Sequence, residues 1–276
     1  MRNSCRLFQT IGADWGEEPV TAPGQCLDKP GTVGGVAQSL AQLVDGSVEA
    51  VVEINKGVWL ACSIGRAIGL TIPEPAILYV PAKLVESSSS LVIHLSNSTL
   101  KCSHGLAFGS RFISADEVFD YLPESIFPNI ENLQEFAGVF ALDKWLCNCD
   151  GRQAVFCRPK PNRGFRAHFI DFGYCFNAGE WNFPDAPLRG VYSRRVVYQH
   201  ICGWHSFEPW LSRIESFDLL KLWEIVANVP PEWVEPEELA QFIDCIDARR
   251  SRVRELIAAT RQSHQNPFGA WTEAKP

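Results

Sequence analysis

The pattern of apolar residues changes near Pro128, and this change constrains the fold more than any other feature of the sequence. Before it, Asp45-Gly46 separates two β-type runs, which is a strong hairpin signal. The run SVEAVVEI after this turn is therefore predicted to be a strand. The later run AILYV is also predicted to be a strand. After Pro128 the apolar residues recur at the three-and-four spacing of helices. The sequence predicts an α+β chain in which strands come mainly first and helices later.

Helices are predicted at two places around this change. The segment VWLACSIGRAIGL, Val58 to Leu70, suits a packed helix that ends at Gly69. A second, amphipathic helix is predicted in ENLQEFAGVFALDKWL, with one apolar face made of Leu133, Phe136, Ala137, Phe140 and Ala141. Between them, Glu117 to Leu122 is predicted to be a strand.

The C-terminal part repeats the helical pattern. Glu237 to Arg261 carries one apolar stripe and is predicted to be a single long helix. Its basic run DARRSRVRE is interpreted as a solvated helix face, because exposed charge on an amphipathic helix usually has that meaning.

Composition excludes several classes of protein. The net charge of −7 and the pI near 5.4 argue against a broad basic surface for nucleic acid. No stretch approaches the run of about 20 apolar residues that a spanning helix needs, so membrane insertion is not expected and a cytoplasmic location is. The ten cysteines are scattered without the paired spacing of a zinc site, and we expect reduced thiols.

Two acidic motifs carry the chemistry that the sequence suggests. Asp150 lies in NCDGR, and Asp171 follows 21 positions later in DFG, after the apolar run AHFI. In phosphoryl transfer, one carboxylate accepts the proton of the attacking hydroxyl and another holds the magnesium that bridges the nucleotide phosphates. Taken separately, Asp150 could be a turn residue and Asp171 a strand-end cap.

A glycine turn upstream completes the set of candidate parts. Gly34 and Gly35 lie between two strand-like runs, followed by Gln38, about 110 residues before the acidic motifs. Backbone amides in such a turn can cradle phosphate oxygens, and glycine permits their close approach. The order glycine turn, helix, strand, helix, Asp150 loop and Asp171 strand is the order of parts in a two-lobed kinase.

With these parts in view, the sequence resembles the HipA-like kinase family, which is distantly similar to HipA and the phosphatidylinositol kinases. The resemblance rests on FAGVFALDKWLCNCDGRQAVF, FIDFGYCFNAGEWNFPDAPLRGVY, SFEPWLSRIE and PPEW with RRSRVRELI, and it covers roughly Pro30 to Ile257. It implies a two-lobed protein-kinase-like fold that binds ATP and Mg²⁺ and phosphorylates a protein substrate. The arm would be residues 1–30 and the kinase domain residues 31–276, with an N-lobe of about 31–118 and a C-lobe of about 124–276.

The resemblance also implies roles for individual residues. Asp150 corresponds to the catalytic aspartate and Asp171 to the metal-binding aspartate. The adenine hinge would be Phe119 to Leu122, so Tyr121 and Leu122 would contact the base. Gly34 to Gln38 resembles the nucleotide-covering loop.

The chain departs from the family pattern at two places in the ATP machinery. Val155 stands where the family has a metal-binding Asn, and Gln153 is the nearest substitute because its amide oxygen can bind a metal ion. The expected phosphate-binding Lys and its Glu partner are not in register; Val52 and Glu53 occupy the lysine region.

Two cations are candidates to replace the missing lysine. Lys56 lies just beyond SVEAVVEI, and Arg111 could act as a phosphate clamp because a guanidinium fork matches phosphate oxygens. For Arg111, a surface salt bridge is the alternative. The leading interpretation is an active ATP-dependent phosphotransferase. The alternatives are a catalytically silent kinase-like module and an interaction protein without nucleotide.

Overall fold

The computed structural model describes residues 48–89, 91–94, 99–111, 113–178 and 180–272. Within them the helices are α1 (Val48–Ala67), α2 (Ala82–Ser87), α3 (Glu135–Trp145), α4 (Trp210–Glu215), α5 (Leu219–Val226), α6 (Pro236–Arg250) and α7 (Val253–Gln262). The strands are β1 (Pro75–Val80), β2 (Val92–His94), β3 (Thr99–Lys101), β4 (Gly105–Ser110), β5 (Glu117–Phe119), β6 (Gln153–Arg158) and β7 (Arg166–Ile170). The chain is thus α+β, as predicted. The predicted arm, the Gly34-Gly35 turn and the Asp45-Gly46 hairpin lie outside the described residues.

The strands form three small antiparallel sheets. β1 pairs with β4, β2 pairs with β3, and β5, β6 and β7 form a three-stranded sheet in that order. The predicted strands AILYV, EVFDYL and AHFI are confirmed as β1, β5 and β7, although β5 ends at Phe119. Because β5 pairs with β6, the chain before Pro123 is joined by backbone hydrogen bonds to the chain after α3.

The prediction of a strand at SVEAVVEI is wrong, because its described part, from Val48, forms the first turns of α1. Its β-branched valines favour strands only where they can pack on a pleated surface, so the preference depends on tertiary context. No proline interrupts the run from Val48 into Lys56. From Val58 onward, α1 buries Leu60, Ala61 and Ile64 in the main core, and Ile68 joins them just after the helix.

The predicted end of this helix at Gly69 is confirmed. Gly69 has φ +86°, its N–H donates to the carbonyl of Arg66 (2.9 Å), and Leu70 N–H donates to the carbonyl of Gly65 (3.1 Å). This pair of bonds is the Schellman motif, which favours glycine at the left-handed position. Arg213 of α4 also donates to the carbonyl of Ile68 (2.8 Å) and so caps the helix from outside.

Helix α3 forms the centre of the molecule. The amphipathic prediction for it is wrong, because every residue from Glu135 to Trp145 is buried. Its polar groups are satisfied internally: Glu135 accepts hydrogen bonds from the backbone N–H (2.7 Å) and hydroxyl (2.9 Å) of Thr71, and Trp145 Nε1 donates to the carbonyl of Ile246 (2.8 Å). A helix that is buried on all sides needs apolar or internally hydrogen-bonded residues around its whole circumference. Apolar residues at a spacing of three and four identify one buried face, and they do not show whether the opposite face is buried too.

The predicted long helix at Glu237 to Arg261 is two helices, α6 and α7, separated by a turn at Ser251 and Arg252. The interpretation of DARRSRVRE as a solvated face is wrong for Arg249, which is buried. Arg249 donates to the carbonyls of Lys144 (2.9 Å) and Phe183 (3.0 Å), so it stabilises the core rather than a surface.

Among the described residues, no helix is both long and apolar enough to cross a membrane. The described cysteines are free thiols, and Cys5 and Cys26 lie outside the described part.

Candidate functional site

The two acidic motifs occupy neighbouring loops, one after α3 and one after β7. Three backbone hydrogen bonds join these loops: Cys149 N–H to the Tyr174 carbonyl (2.9 Å), Phe176 N–H to the Leu146 carbonyl (2.7 Å) and Asn177 N–H to the Cys147 carbonyl (3.1 Å). The loops therefore form one structural unit although about 25 residues of sequence, including the β6–β7 hairpin, separate them.

The negative charges of Asp150 and Asp171 both act on the phenol of Tyr174. Burial raises the pKa of Tyr174, and the negative charges of Asp150 and Asp171 raise it further. Asp150 is exposed, and its backbone N–H donates to Asn148 Oδ1 (3.1 Å). Asp171 is the first residue after β7 and is partly exposed. The structure thus places the two predicted carboxylates in adjoining loops, and the carbonyl of Tyr174, which sequence reasoning did not select, helps to join them.

Gln153, nominated as the substitute for the missing metal-binding Asn, contacts the second acidic residue. Its Nε2 donates to Asp171 Oδ2 at 2.5 Å, and it is exposed at the start of β6. Val155 is buried in the same strand and offers no ligand atom.

The described residues contain no group of three or more His, Cys, Asp or Glu side chains that could hold a metal ion. Mg²⁺ is commonly held by one or two carboxylates together with substrate phosphates and water, so Asp171 and the Gln153 amide oxygen fit that use.

A buried ion pair between Arg152 and Asp143 is hydrogen-bonded to both acidic loops. Arg152 Nη2 donates to Asp143 Oδ1 (2.7 Å) and Arg152 Nε to Asp143 Oδ2 (3.0 Å), and both side chains are fully buried. Asn148 Nδ2 donates to Asp143 Oδ1 (2.9 Å). Arg152 Nη1 donates to the carbonyls of Ile170 (2.6 Å) and Asp171 (3.2 Å). Because it touches both loops, this network fixes the backbone on either side of the carboxylates.

The backbone after Asp171 adopts an unusual conformation. Asp171 has φ +59°, and Phe176, Asn177 and Ala178 form a consecutive left-handed run with φ between +56° and +59°. Each such residue costs on the order of 1–3 kcal/mol and persists only where the surroundings hold it. Here the Phe176 ring stacks on Trp181 at a centroid distance of 5.2 Å, in addition to the loop–loop hydrogen bonds.

The segment that follows is held by buried cations. Lys144 Nζ donates to the carbonyls of Pro187 (2.7 Å) and Arg189 (2.6 Å). Burial lowers the pKa of Lys144 to about 8, against the opposing effect of Asp143. Gly190 N–H then donates to the carbonyl of Asp150 (2.9 Å), which places this segment beside the first acidic loop.

Arg189 is the cation that sequence reasoning missed. Its side chain is exposed, and Nη1 donates to Asn177 Oδ1 (2.7 Å). Arg189 directly precedes Gly190, whose N–H donates to the carbonyl of Asp150 (2.9 Å), so its backbone lies beside the first acidic loop. The only sequence signal was its place in PLRGVY, one of the segments that carry the family resemblance.

Lys56, a predicted phosphate contact, is buried and contacts other parts of the protein. It is only 1% exposed, its Nζ lies 3.1 Å from Glu238 Oε2, and the same atom lies 4.8 Å from the centre of the Trp181 ring. Lys56 therefore links α1 to α6 and to the segment after Asp171. Its candidate role as a replacement for the phosphate-binding lysine stays a prediction, and in the structure its side chain is buried.

Arg111 forms the surface ion pair that was its alternative. Arg111 Nη1 lies 2.6 Å from Glu74 Oε2, and both side chains are more than half exposed. The pair joins the end of β4 to the residue before β1. The predicted phosphate clamp at Arg111 is therefore not what this arrangement supports.

The predicted hinge residues lie side by side but differ in exposure. Tyr121 is exposed and Leu122 is buried. The Leu122 carbonyl accepts a hydrogen bond from Arg194 Nη1, and the Arg194 guanidinium lies 4.5 Å from the centre of the Tyr121 ring. Arg194 thus already donates to the backbone carbonyl of one predicted hinge residue. The other predicted nucleotide contacts, Gly34, Gly35 and Gln38, lie outside the described residues.

No protein-family model matches the chain, and no curated protein matches it closely enough to count as a relative.

Proposed function

We propose that this protein is an ATP-dependent phosphotransferase of the HipA-like kinase type, with a two-lobed protein-kinase-like fold and a hydroxyl on a protein as the phosphate acceptor. The observation that carries this proposal is the joining of the Asp150 loop and the Asp171 loop by three backbone hydrogen bonds. A turn residue and a strand-end cap with unrelated roles would not require this pairing. The lobe boundary, after about residue 118 and before about residue 124, and the cytoplasmic location belong to the same proposal.

The proposed roles follow from exposure and contacts. Asp150 is exposed, so it can accept the proton of an incoming hydroxyl as that oxygen attacks the γ-phosphorus of ATP. Asp171 and Gln153 would hold Mg²⁺, which supplies positive charge to the β- and γ-phosphate oxygens. The Gln153 amide must turn so that its oxygen, rather than its Nε2, faces the ion.

Arg189 is the proposed replacement for the missing phosphate-binding lysine. It is exposed and lies between Asn177 and the first acidic loop, on the side where Gly190 bonds to Asp150. A guanidinium there can pair with phosphoryl oxygens, and phosphoryl transfer needs such positioned positive charge.

A catalytically silent module is the second candidate. It is favoured by the state of the two cations nominated from the sequence, because Lys56 contacts Glu238 and Arg111 contacts Glu74. In this case nucleotide or a protein partner would bind without transfer. A third possibility, an interaction protein without nucleotide, would leave both carboxylates with structural roles alone.

Thermal unfolding with ATP, with and without Mg²⁺, separates these functions, because a ligand of the folded state raises the melting temperature. We expect a Mg²⁺-dependent rise that Asp171→Asn removes and Asp150→Asn retains. Transfer from labelled ATP to a protein panel should then fall by about 100- to 10,000-fold in Asp150→Asn.

Matched variants test the cation. Arg189→Met should lower transfer by about 100- to 1,000-fold, and Arg189→Lys should lose less, while Arg111→Met should have no effect. Nucleotide binding without transfer in the parent protein would favour the silent module. Absence of any ATP-dependent shift would contradict both nucleotide-binding proposals.

A further inference from the structure

A cysteine and a histidine lie together on the surface, on elements that the proposed phosphotransferase site does not use. Cys202 Sγ is 3.4 Å from His205 Nε2 and 3.8 Å from Ser206 Oγ. The thiol is partly exposed, and the imidazole is exposed at the start of the short 3-10 helix Trp204–Phe207. The Cys202 N–H donates to Ser206 Oγ (3.2 Å), so the backbone holds the thiol at this turn.

The other described thiols lie in different surroundings. Burial raises the pKa of Cys62 to about 12, of Cys102 to about 11 and of Cys157 to about 11. Burial also raises the pKa of Cys147, Cys149 and Cys175. A thiol must ionise before it can attack a disulfide, so these six are poor nucleophiles.

Cys245 is the natural comparison. It is exposed on α6, and among the described residues its thiol makes no hydrogen bond to a base. Cys202 is less exposed than Cys245 but has an imidazole nitrogen within reach of its proton. Accessibility alone therefore favours Cys245, and activation by a base favours Cys202.

We propose that Cys202 is a site of reversible modification by low-molecular-weight disulfides, with His205 as its base. The thiol proton passes to His205 Nε2, and the Cys202 sulfur forms a bond to one sulfur of the disulfide while the S–S bond breaks. The leaving thiolate takes the proton back from the imidazolium. Cys202 ends as a mixed disulfide and one small thiol is released, so the exchange needs no other oxidant.

The modification would lie beside the C-terminal segment. The Cys202 carbonyl accepts a hydrogen bond from Thr272 N–H (3.1 Å), and Trp271 packs edge-on against Trp204 at a centroid distance of 5.1 Å. An adduct on Cys202 would therefore contact the turn that holds this pair of tryptophans, and tryptophan fluorescence offers a second readout.

The test uses the full reduced chain and oxidised glutathione as the probe at pH 7. Samples are quenched with acid, and peptide mapping by mass spectrometry follows each cysteine separately, including Cys5 and Cys26. We expect Cys202 to form the mixed disulfide about tenfold faster than Cys245. His205→Asn should slow Cys202 about tenfold and leave Cys245 unchanged, and dithiothreitol should reverse the adduct.

The parent protein alone provides a check that does not depend on how the variant folds. Above about pH 9.5 an ordinary thiol is ionised without help, so the ratio of the Cys202 rate to the Cys245 rate should fall toward one. A Cys202 rate equal to or below that of Cys245 at pH 7 would overturn the proposal. So would a ratio that stays constant with pH, or a Cys202 rate that His205→Asn does not change.

Discussion

Removal of the Arg152 guanidinium is the perturbation that tests the centre of the molecule most directly. Arg152→Met keeps an unbranched side chain of similar length but leaves the Asp143 carboxylate buried without its counter-ion. Breaking a buried pair on one side costs about 3–5 kcal/mol. The carbonyls of Ile170 and Asp171 lose a donor as well, so we expect a loss in the upper part of that range.

The assay is equilibrium unfolding in urea at pH 7, with a double variant that removes the charge left behind. Arg152→Met with Asp143→Asn should recover at least about 2 kcal/mol, because the amide oxygen can still accept the hydrogen bond from Asn148. Arg158→Met, at the far end of β6, is the matched control. Its pair with Glu117 is screened by solvent, so its loss should destabilise the fold far less than the loss of Arg152. A loss below about 1 kcal/mol for Arg152→Met, or no recovery in the double variant, would refute this reasoning.

Two further predictions concern packing and pH. Gly138→Ala should destabilise the fold by about 1–3 kcal/mol in urea, because the added Cβ would overlap the Trp210 ring in a fully buried helix. Burial and the nearby charge of Arg166 lower the pKa of His168 to about 4, below its ordinary value of 6.5, so the unfolded chain binds the proton first as pH falls. Stability should therefore be full above about pH 6.5 and fall by up to about 1.4 kcal/mol per pH unit between pH 6.5 and 4. The contribution should vanish in His168→Gln, and equal slopes in the two proteins would contradict it.

Local signals in the sequence predicted the local structure well. Gly69 was recognised as a helix end because a left-handed residue after a helix favours glycine, and the strands β1 and β7 followed from short apolar runs. The strand predicted at SVEAVVEI was wrong because the strand preference of β-branched residues depends on packing partners that are distant in sequence. Arg249 was placed on a solvated face because its acceptors, the carbonyls of Lys144 and Phe183, lie more than 60 residues away.

In the candidate site, too, some residues could be identified from the sequence and others could not. Asp150 and Asp171 were found from motif and spacing, and the structure places them in adjoining loops. Gln153 was nominated through the family resemblance, and it contacts Asp171 from the start of β6. The cations could not be predicted, because the partners of Lys56 and Arg111 depend on where distant segments fold. Arg189 carried no motif of its own and was found only from its contacts.

The way in which α1 is anchored has a consequence for the order of folding. Its Lys56 bonds to Glu238, 182 residues later, and the carbonyl of Ile68 near its end accepts from Arg213, 145 residues later. Contacts between residues so far apart require closure of very long loops, which slows their formation. During synthesis the N-terminal part of the chain emerges first, so α1 leaves the ribosome long before Glu238 or Arg213 has been synthesised. We expect α1 to dock among the last elements and to gain protection from hydrogen exchange only once α6 is complete.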